Sequence, residues 1–202
     1  MKILLVGATG TIGKAVAVAL SPRHEVVAVG HRGGPYQVDL ADKASIASLF
    51  QSVGRVDAVV SAAGAARFGA LAALGDEDFA VSLANKLMGQ VNLVRVGMAS
   101  VADRGSFTLT SGVLSHTPMP GSAAISLVNA GLEGFARAAA LELPRSIRIN
   151  VVSPGWVRET LVAMKMDPAT GTPASAVARF YVQSVEGSTT GTVLNAVAPE
   201  GM

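Results

Sequence analysis

Short apolar runs alternate along the chain with longer segments in which apolar residues recur every three or four positions. Each run predicts a strand, because uninterrupted apolar runs are typical of strands buried on both faces of a parallel sheet. The seven runs cover residues 2–6, 25–29, 36–38, 57–60, 106–110, 147–152 and 192–197. The helical pattern covers residues 11–20, 42–53, 76–102, 123–143 and 173–182.

Strands separated by single helices predict βαβ units. We therefore predict one α/β domain over residues 1–202, a Rossmann-type doubly wound parallel sheet of about seven strands with helices on both faces. The least regular stretch, residues 153–172, is rich in Pro, Gly and Thr and follows a predicted strand. A binding loop or lid is expected at that place.

Composition argues against several classes of function. The formal net charge of +2 is scattered and aromatic residues make up 4% of the chain, which argues against a nucleic-acid groove. The chain has no cysteine, which excludes thiolate zinc sites and cysteine nucleophiles and suits a reducing compartment. No apolar run approaches the roughly 18 residues that a membrane span needs. We expect a cytoplasmic protein with no nucleic-acid or membrane partner.

A glycine-rich turn lies between the first predicted strand and the first helix. Gly7 allows a sharp turn, Gly10 lets the backbone approach a pyrophosphate, and Gly13 lets the helix pack closely on the strand. The spacing is GxxGxxG rather than GxGxxG. The turn predicts a dinucleotide site, although a tight strand–helix turn without a ligand has the same spacing.

The end of the second strand bears on the choice of nucleotide. An acid there binds the ribose 2′-hydroxyl of NAD, whereas an Arg accommodates the 2′-phosphate of NADP. Here His31 and Arg32 follow the strand without an acid, which favours NADP(H) over NAD(H) unless the two are simply solvated loop residues. Asp39 would either contact adenine or cap the next helix, a role that Asp42 shares.

Further motifs follow in a recognisable order: Ser61-Ala62-Ala63-Gly64, Leu109-Thr110-Ser111, residues 129–135 (NAGLEGF) and residues 147–155 (IRINVVSPG). Together with the glycine turn and Asp39-Leu40, this order resembles the short-chain dehydrogenase/reductase family over nearly the whole chain. The resemblance implies an oxidoreductase that uses a nicotinamide dinucleotide. It also implies a homodimer or homotetramer formed through the fourth and fifth helices.

The resemblance assigns the cofactor site to the glycine turn, the ends of the second, third and fourth strands, and the Pro-Gly turn after the sixth. Trp156 would border the nicotinamide or merely pack under its loop, and Thr160 comes one residue later than in the family pattern. The residues implied are Gly7, Thr9, Gly10, Thr11, Ile12, Gly13, His31, Arg32, Asp39, Leu40, Ala62, Ala63, Gly64, Pro154, Gly155, Trp156 and Thr160.

The catalytic positions depart from the family pattern. The family uses an Asn, a Ser, a Tyr and a Lys, the Lys four residues after the Tyr. Their positions here hold Lys86, Ser111, Ile125 and Asn129, and no Tyr in the chain has a Lys four residues later. An alkyl side chain cannot transfer a proton. Either the site is degenerate, or Lys86 serves as the acid if burial lowers its pKa, with His116 as a second candidate.

Two principal functions follow. The first is an NADP(H)-dependent oxidoreductase with an altered active site and an unidentified small-molecule substrate. The second is a non-catalytic NADP(H)-binding sensor or regulatory protein. A structural protein that has also lost the cofactor is a third hypothesis, which the intact Gly7, Gly10 and Gly13 disfavour.

Overall fold

A seven-stranded sheet forms the centre of the molecule. The computed structural model describes residues 1–197, so residues 198–202 of the predicted domain lie outside the described residues. All neighbouring strands are parallel, in the order β3-β2-β1-β4-β5-β6-β7. The strands are β1 Lys2–Val6, β2 Glu25–Gly30, β3 Tyr36–Gln37, β4 Val56–Ser61, β5 Val101–Thr110, β6 Arg148–Pro154 and β7 Val193–Ala196. The predicted Rossmann-type fold is confirmed.

Seven α-helices flank the sheet in residues 1–197. They are α1 Thr11–Leu20, α2 Lys43–Val53, α3 Asp76–Ser82, α4 Gly89–Gly97, α5 Ala123–Glu142, α6 Arg158–Ala163 and α7 Ala174–Glu186. Successive side chains of a strand point to opposite faces, so β1 contributes to two cores. Leu4 packs in the core that includes α2, α4 and α5, whereas Ile3 and Leu5 pack in the core with α1 and α7. None of the helices in the described part of the chain is long and apolar enough to cross a membrane.

The prediction of one long helix over residues 76–102 is wrong. After α3 the chain forms a π-helix over Leu83–Met88 and continues as α4, which ends at Gly97. Gly97 lies directly against the ring of Phe50, where a side chain would not fit. Val101 has the apolar character of a helix residue, but it pairs with Val56 as the first residue of β5. Tertiary pairing therefore overrides the helical pattern.

The stretch over residues 153–172 is less irregular than predicted. It contains the end of β6, the helix α6 and a 3-10 turn over Pro168–Thr170. Leu161 of α6 is buried, which fixes this short helix over the carboxyl end of the sheet. The last helix, α7, extends to Glu186 rather than residue 182 because Val185 is also buried in the core.

Candidate functional site

The strand order reverses at β1, which pairs with both β2 and β4. In open parallel sheets, ligands bind beyond the carboxyl ends of the strands at such a point. The glycine turn lies there. Gly7 has a φ of 84°, and a Cβ on it would lie 2.7 Å from the carbonyl oxygen of Ala62. A Cβ on Gly13 would overlap the Gly7 carbonyl group. Both positions therefore require glycine, and the close packing leaves the start of α1 open to a ligand.

A groove of about 420 Å³ extends from the glycine turn across the ends of β2 and β4. It gathers eight of the predicted cofactor residues: Gly7, Thr9, Gly10, His31, Leu40, Ala62, Ala63 and Gly64. Asn85 of the π-helix also lines the groove, and its Oδ1 accepts a hydrogen bond from the backbone N–H of Ala65 at 2.7 Å. The groove therefore lies where the resemblance predicts the adenosine half of a dinucleotide.

Other residues predicted near the cofactor do not line this groove. Thr11 lies with Thr9 and Gly10 at a separate depression on the outer side of the turn. Arg32 is exposed in the loop after β2. Asp42 caps α2 by accepting from the N–H of Ala44 at 2.8 Å, whereas Asp39 accepts from the N–H of Ala41. The helix cap therefore belongs to Asp42, and a contact of Asp39 with adenine stays a prediction.

A second cavity of about 420 Å³ lies on the other side of the glycine turn, beyond β5 and β6. Its walls are largely apolar, with Phe68, Leu114, Met119, Met164 and Met166 among them. It brings together the predicted catalytic positions and the predicted nicotinamide end of the cofactor site. These are Lys86, Ser111, Ile125 and Asn129, and Ile12, Pro154, Gly155, Trp156 and Thr160.

Lys86 is partly buried in this cavity. The π-helix that carries it holds its stem against Gly64, where a Cβ would approach the Lys86 side chain to 3.0 Å. Its Nζ donates to the carbonyl oxygen of Ser111 at 3.2 Å. Burial lowers the pKa of Lys86 from 10.5 to about 8, because desolvation disfavours the charged form. An amine in this range can hold or release a proton near neutral pH.

Ile125 and Asn129 lie one turn apart on α5 and face the same cavity. Asn129 is buried, and its Nδ2 donates to the carbonyl oxygen of Gly112 at 3.4 Å. Among residues 1–197, its Oδ1 has no hydrogen-bond partner. Because Gly112 offers an acceptor, the amide must keep its NH₂ group on that side, with the oxygen on the other.

Sequence reasoning did not identify Glu133, which lies one turn further along α5. Its carboxylate is 1% exposed and receives Ser111 Oγ at 2.9 Å and Ser115 Oγ at 2.7 Å on Oε1. His116 Nε2 lies 2.6 Å from Oε2. Residues 125, 129 and 133 are spaced by four, which places them on one helix face, and this spacing was the available signal. His116, a candidate acid from the sequence, instead pairs with Glu133 and is 58% exposed.

Comparison with known proteins gives consistent matches. The family model described as enoyl-(acyl carrier protein) reductase matches residues 8–187. A human 3-oxoacyl-[acyl-carrier-protein] reductase is 30% identical over 173 residues, which are 75% of this chain and 73% of that protein. The crystal structure of the protein lin1944 from Listeria innocua is 42% identical, with a TM-score of 0.93 over 96% of this chain and 98% of that one. A small-chain dehydrogenase in complex with NADPH is 26% identical, with a TM-score of 0.85 over 96% and 95% of the two chains.

Proposed function

Because the chain belongs to the short-chain dehydrogenase/reductase family, we propose that it is an NADP(H)-dependent oxidoreductase that interconverts a carbonyl and an alcohol on a largely apolar substrate. One observation carries the proposal. Lys86, Ser111 and Asn129 meet in a single apolar cavity that also adjoins the glycine turn through Ile12. Few polar groups converging in an apolar cavity are typical of a small-molecule site.

The residues present fit a nicotinamide dinucleotide. Gly7 and Gly13 keep the start of α1 open, and the groove leads from this turn toward His31. The absence of an acid after β2 and the presence of Arg32 favour NADP(H) over NAD(H). The similarity to a dehydrogenase solved with NADPH supports this preference. Trp156 and Thr160 line the cavity at the end where the nicotinamide would lie.

When bound, the nicotinamide supplies or takes the hydride, so the protein needs to position the substrate and handle one proton. Lys86 is the residue that would donate this proton to the substrate. Its ammonium has three N–H donors, one of which is used on the Ser111 carbonyl oxygen. A remaining donor would bind the substrate oxygen and give it a proton during reduction. Ile125 fills the position of the family tyrosine and helps to exclude water.

The test begins with binding. NADPH and then NADH are titrated while the fluorescence of Trp156, the single tryptophan, is followed, with calorimetry as a second readout. Reduction of a panel of aryl and alkyl ketones and aldehydes is then measured for the wild type, Lys86→Met and the exposed control Lys43→Met. We expect NADPH to bind more tightly than NADH, and turnover to fall at least a hundredfold in Lys86→Met alone, the usual range for a lost proton donor. Equal turnover in all three proteins would exclude Lys86 as the donor.

A second function has a specific observation in its favour. Ile125 occupies the position where the family has its tyrosine, and an alkyl group cannot replace a phenol in proton transfer. A non-catalytic NADP(H)-binding sensor or regulatory protein would combine tight NADPH binding with no turnover across the panel. Reduction of one substrate at an ordinary enzymatic rate would exclude it.

We also propose a homodimer or homotetramer, as in the family. Leu127 and Leu141 of α5 are 49% and 89% exposed in the single chain, which supports burial of this helix against a second copy. Light scattering coupled to size exclusion measures the mass directly. A monomeric mass at micromolar concentration would contradict the proposal.

A further inference from the structure

The hydrogen bonds around Glu133 determine which way the Ser111 hydroxyl points. A hydroxyl has one hydrogen to donate and two lone pairs that accept. Ser111 Oγ gives its hydrogen to Glu133 Oε1, because a carboxylate can accept but has no hydrogen to offer in return. Ser111 also lines the cavity. Its hydroxyl therefore presents an acceptor to the cavity, not a donor.

The contacts on the carboxylate hold this arrangement in place. Ser115 Oγ approaches the same oxygen, and His116 Nε2 lies 2.6 Å from the other. Among residues 1–197, His116 is the ion-pair partner of Glu133, and Lys86 is the charged residue that lines the cavity. A buried carboxylate with several charge-assisted hydrogen bonds is a rigid acceptor. If Ser111 turned its hydrogen toward a ligand, it would lose its own hydrogen bond to the carboxylate of Glu133.

Asn129, which lines the same cavity, carries a second acceptor. Asn129 is 1% exposed, and its Oδ1 has no partner in the described part of the chain. An unsatisfied buried acceptor costs free energy until a donor reaches it. The donor on this side of the cavity is the ammonium of Lys86. At the catalytic positions the wall thus combines one side-chain donor with two acceptors. Trp156 and Thr160 add donors at the nicotinamide end, and the remaining wall is mainly apolar.

From this arrangement we propose that the substrate is an α-hydroxy ketone with an apolar body, and its product the vicinal diol. The inference rests on the proposed function. The carbonyl oxygen accepts from Lys86, and the neighbouring hydroxyl donates its one hydrogen to Ser111 Oγ. In reduction, the carbonyl carbon gains the hydride from NADPH and the oxygen gains a proton from Lys86, which solvent restores. The ketone becomes an alcohol and NADPH becomes NADP⁺.

A matched ligand pair tests the inference. Binding of 2-hydroxyacetophenone and of acetophenone to the complex with NADPH or NADP⁺ is measured by calorimetry, and kcat/KM is measured where turnover occurs. The two ligands differ by the hydroxyl alone, so we expect the hydroxy ketone to bind at least tenfold more tightly, as for one added hydrogen bond to a buried acceptor. Equal binding, or no binding of either ligand at low millimolar concentration, would overturn the inference.

Three variants separate the orientation of Ser111 from a general structural effect. In Ser111→Ala the ratio of the affinity for the hydroxy ketone to the affinity for acetophenone should fall toward one. In Glu133→Leu the Ser111 hydroxyl is free to donate, so acetophenone should bind more tightly while the hydroxy ketone loses its advantage. Ser115→Ala removes a different donor from the same carboxylate and should keep the preference. If Glu133→Leu bound both ligands more weakly by the same factor, Glu133 would have a structural role and would not orient the Ser111 hydroxyl.

The NADPH titration makes the two failures distinguishable. If NADPH does not bind to the wild type, the proposed function fails and this inference fails with it. If NADPH binds and ketones are reduced without a preference for the hydroxyl, this inference alone is overturned. If Glu133→Leu does not fold, as judged by circular dichroism, Ser111→Ala decides the question, because it removes a single oxygen just after the end of β5.

Discussion

Replacing Lys86 by Met should stabilise the protein while it abolishes the proposed proton donor. Burial lowers the pKa of Lys86 from 10.5 to about 8, so the folded protein holds this proton less tightly than the unfolded chain. At about 1.4 kcal/mol for each tenfold change, the charged amine costs the fold about 3 kcal/mol at neutral pH. Solvent that reaches the cavity reduces this figure. The variant also loses the hydrogen bond to the Ser111 carbonyl oxygen, which reduces its gain in stability by about 1 kcal/mol.

The net expectation is a gain of about 1 to 2 kcal/mol in the free energy of unfolding at pH 7. Between about pH 8 and 10.5 the unfolded chain binds more protons at this site than the folded protein, so wild-type stability rises with pH there. The advantage of Lys86→Met is therefore complete below pH 8 and is lost as the pH approaches 10.5. Met has a similar length and fills the same space.

Urea denaturation of the wild type, Lys86→Met and the exposed control Lys43→Met at pH 7 and pH 10 measures these differences. The control should change stability by less than about 0.5 kcal/mol. A Lys86→Met variant that is less stable than the wild type at pH 7 would refute the reasoning. So would a stability difference of the same size at both pH values, because it would come from packing rather than from charge.

Three further predictions test other parts of the site. The reductive kcat/KM should be level below about pH 8 and fall tenfold per pH unit above it, because the proposed donor must carry its proton; a profile that rises across this range would contradict Lys86 as the acid. Gly13→Ala should destabilise by at least about 2 kcal/mol and weaken NADPH binding, whereas Gly134→Ala, in an open position on α5, should stabilise by up to about 1 kcal/mol; chemical denaturation compares the two, and similar effects would refute the packing argument. Arg32→Glu should lower the preference for NADPH over NADH at least tenfold, measured by titration; an unchanged ratio would remove Arg32 from the 2′-phosphate site.

Much of the architecture follows from local patterns in the chain. The apolar run over β1, the glycine turn and the helix after it have direct physical consequences, because buried strands need apolar residues and the close approach of Gly13 to Gly7 excludes any side chain. The alternation of strands with helices was sufficient to predict the parallel sheet. The pattern missed a boundary where periodicity continued through a break, at Gly97, whose contact with Phe50 involves a residue far away in the chain.

The polarity of the candidate site was decided by the tertiary structure. The family resemblance aligns Lys86, Ser111, Ile125 and Asn129 with the catalytic positions, but charge and hydrogen-bond direction depend on neighbours from other parts of the chain. Lys86 is desolvated by the walls of a cavity that several elements build together. Ser111 becomes an acceptor because Glu133, 22 residues later, takes its hydrogen. Local sequence determines which groups are present, whereas the assembled fold determines their solvation and their partners, and these set the chemistry.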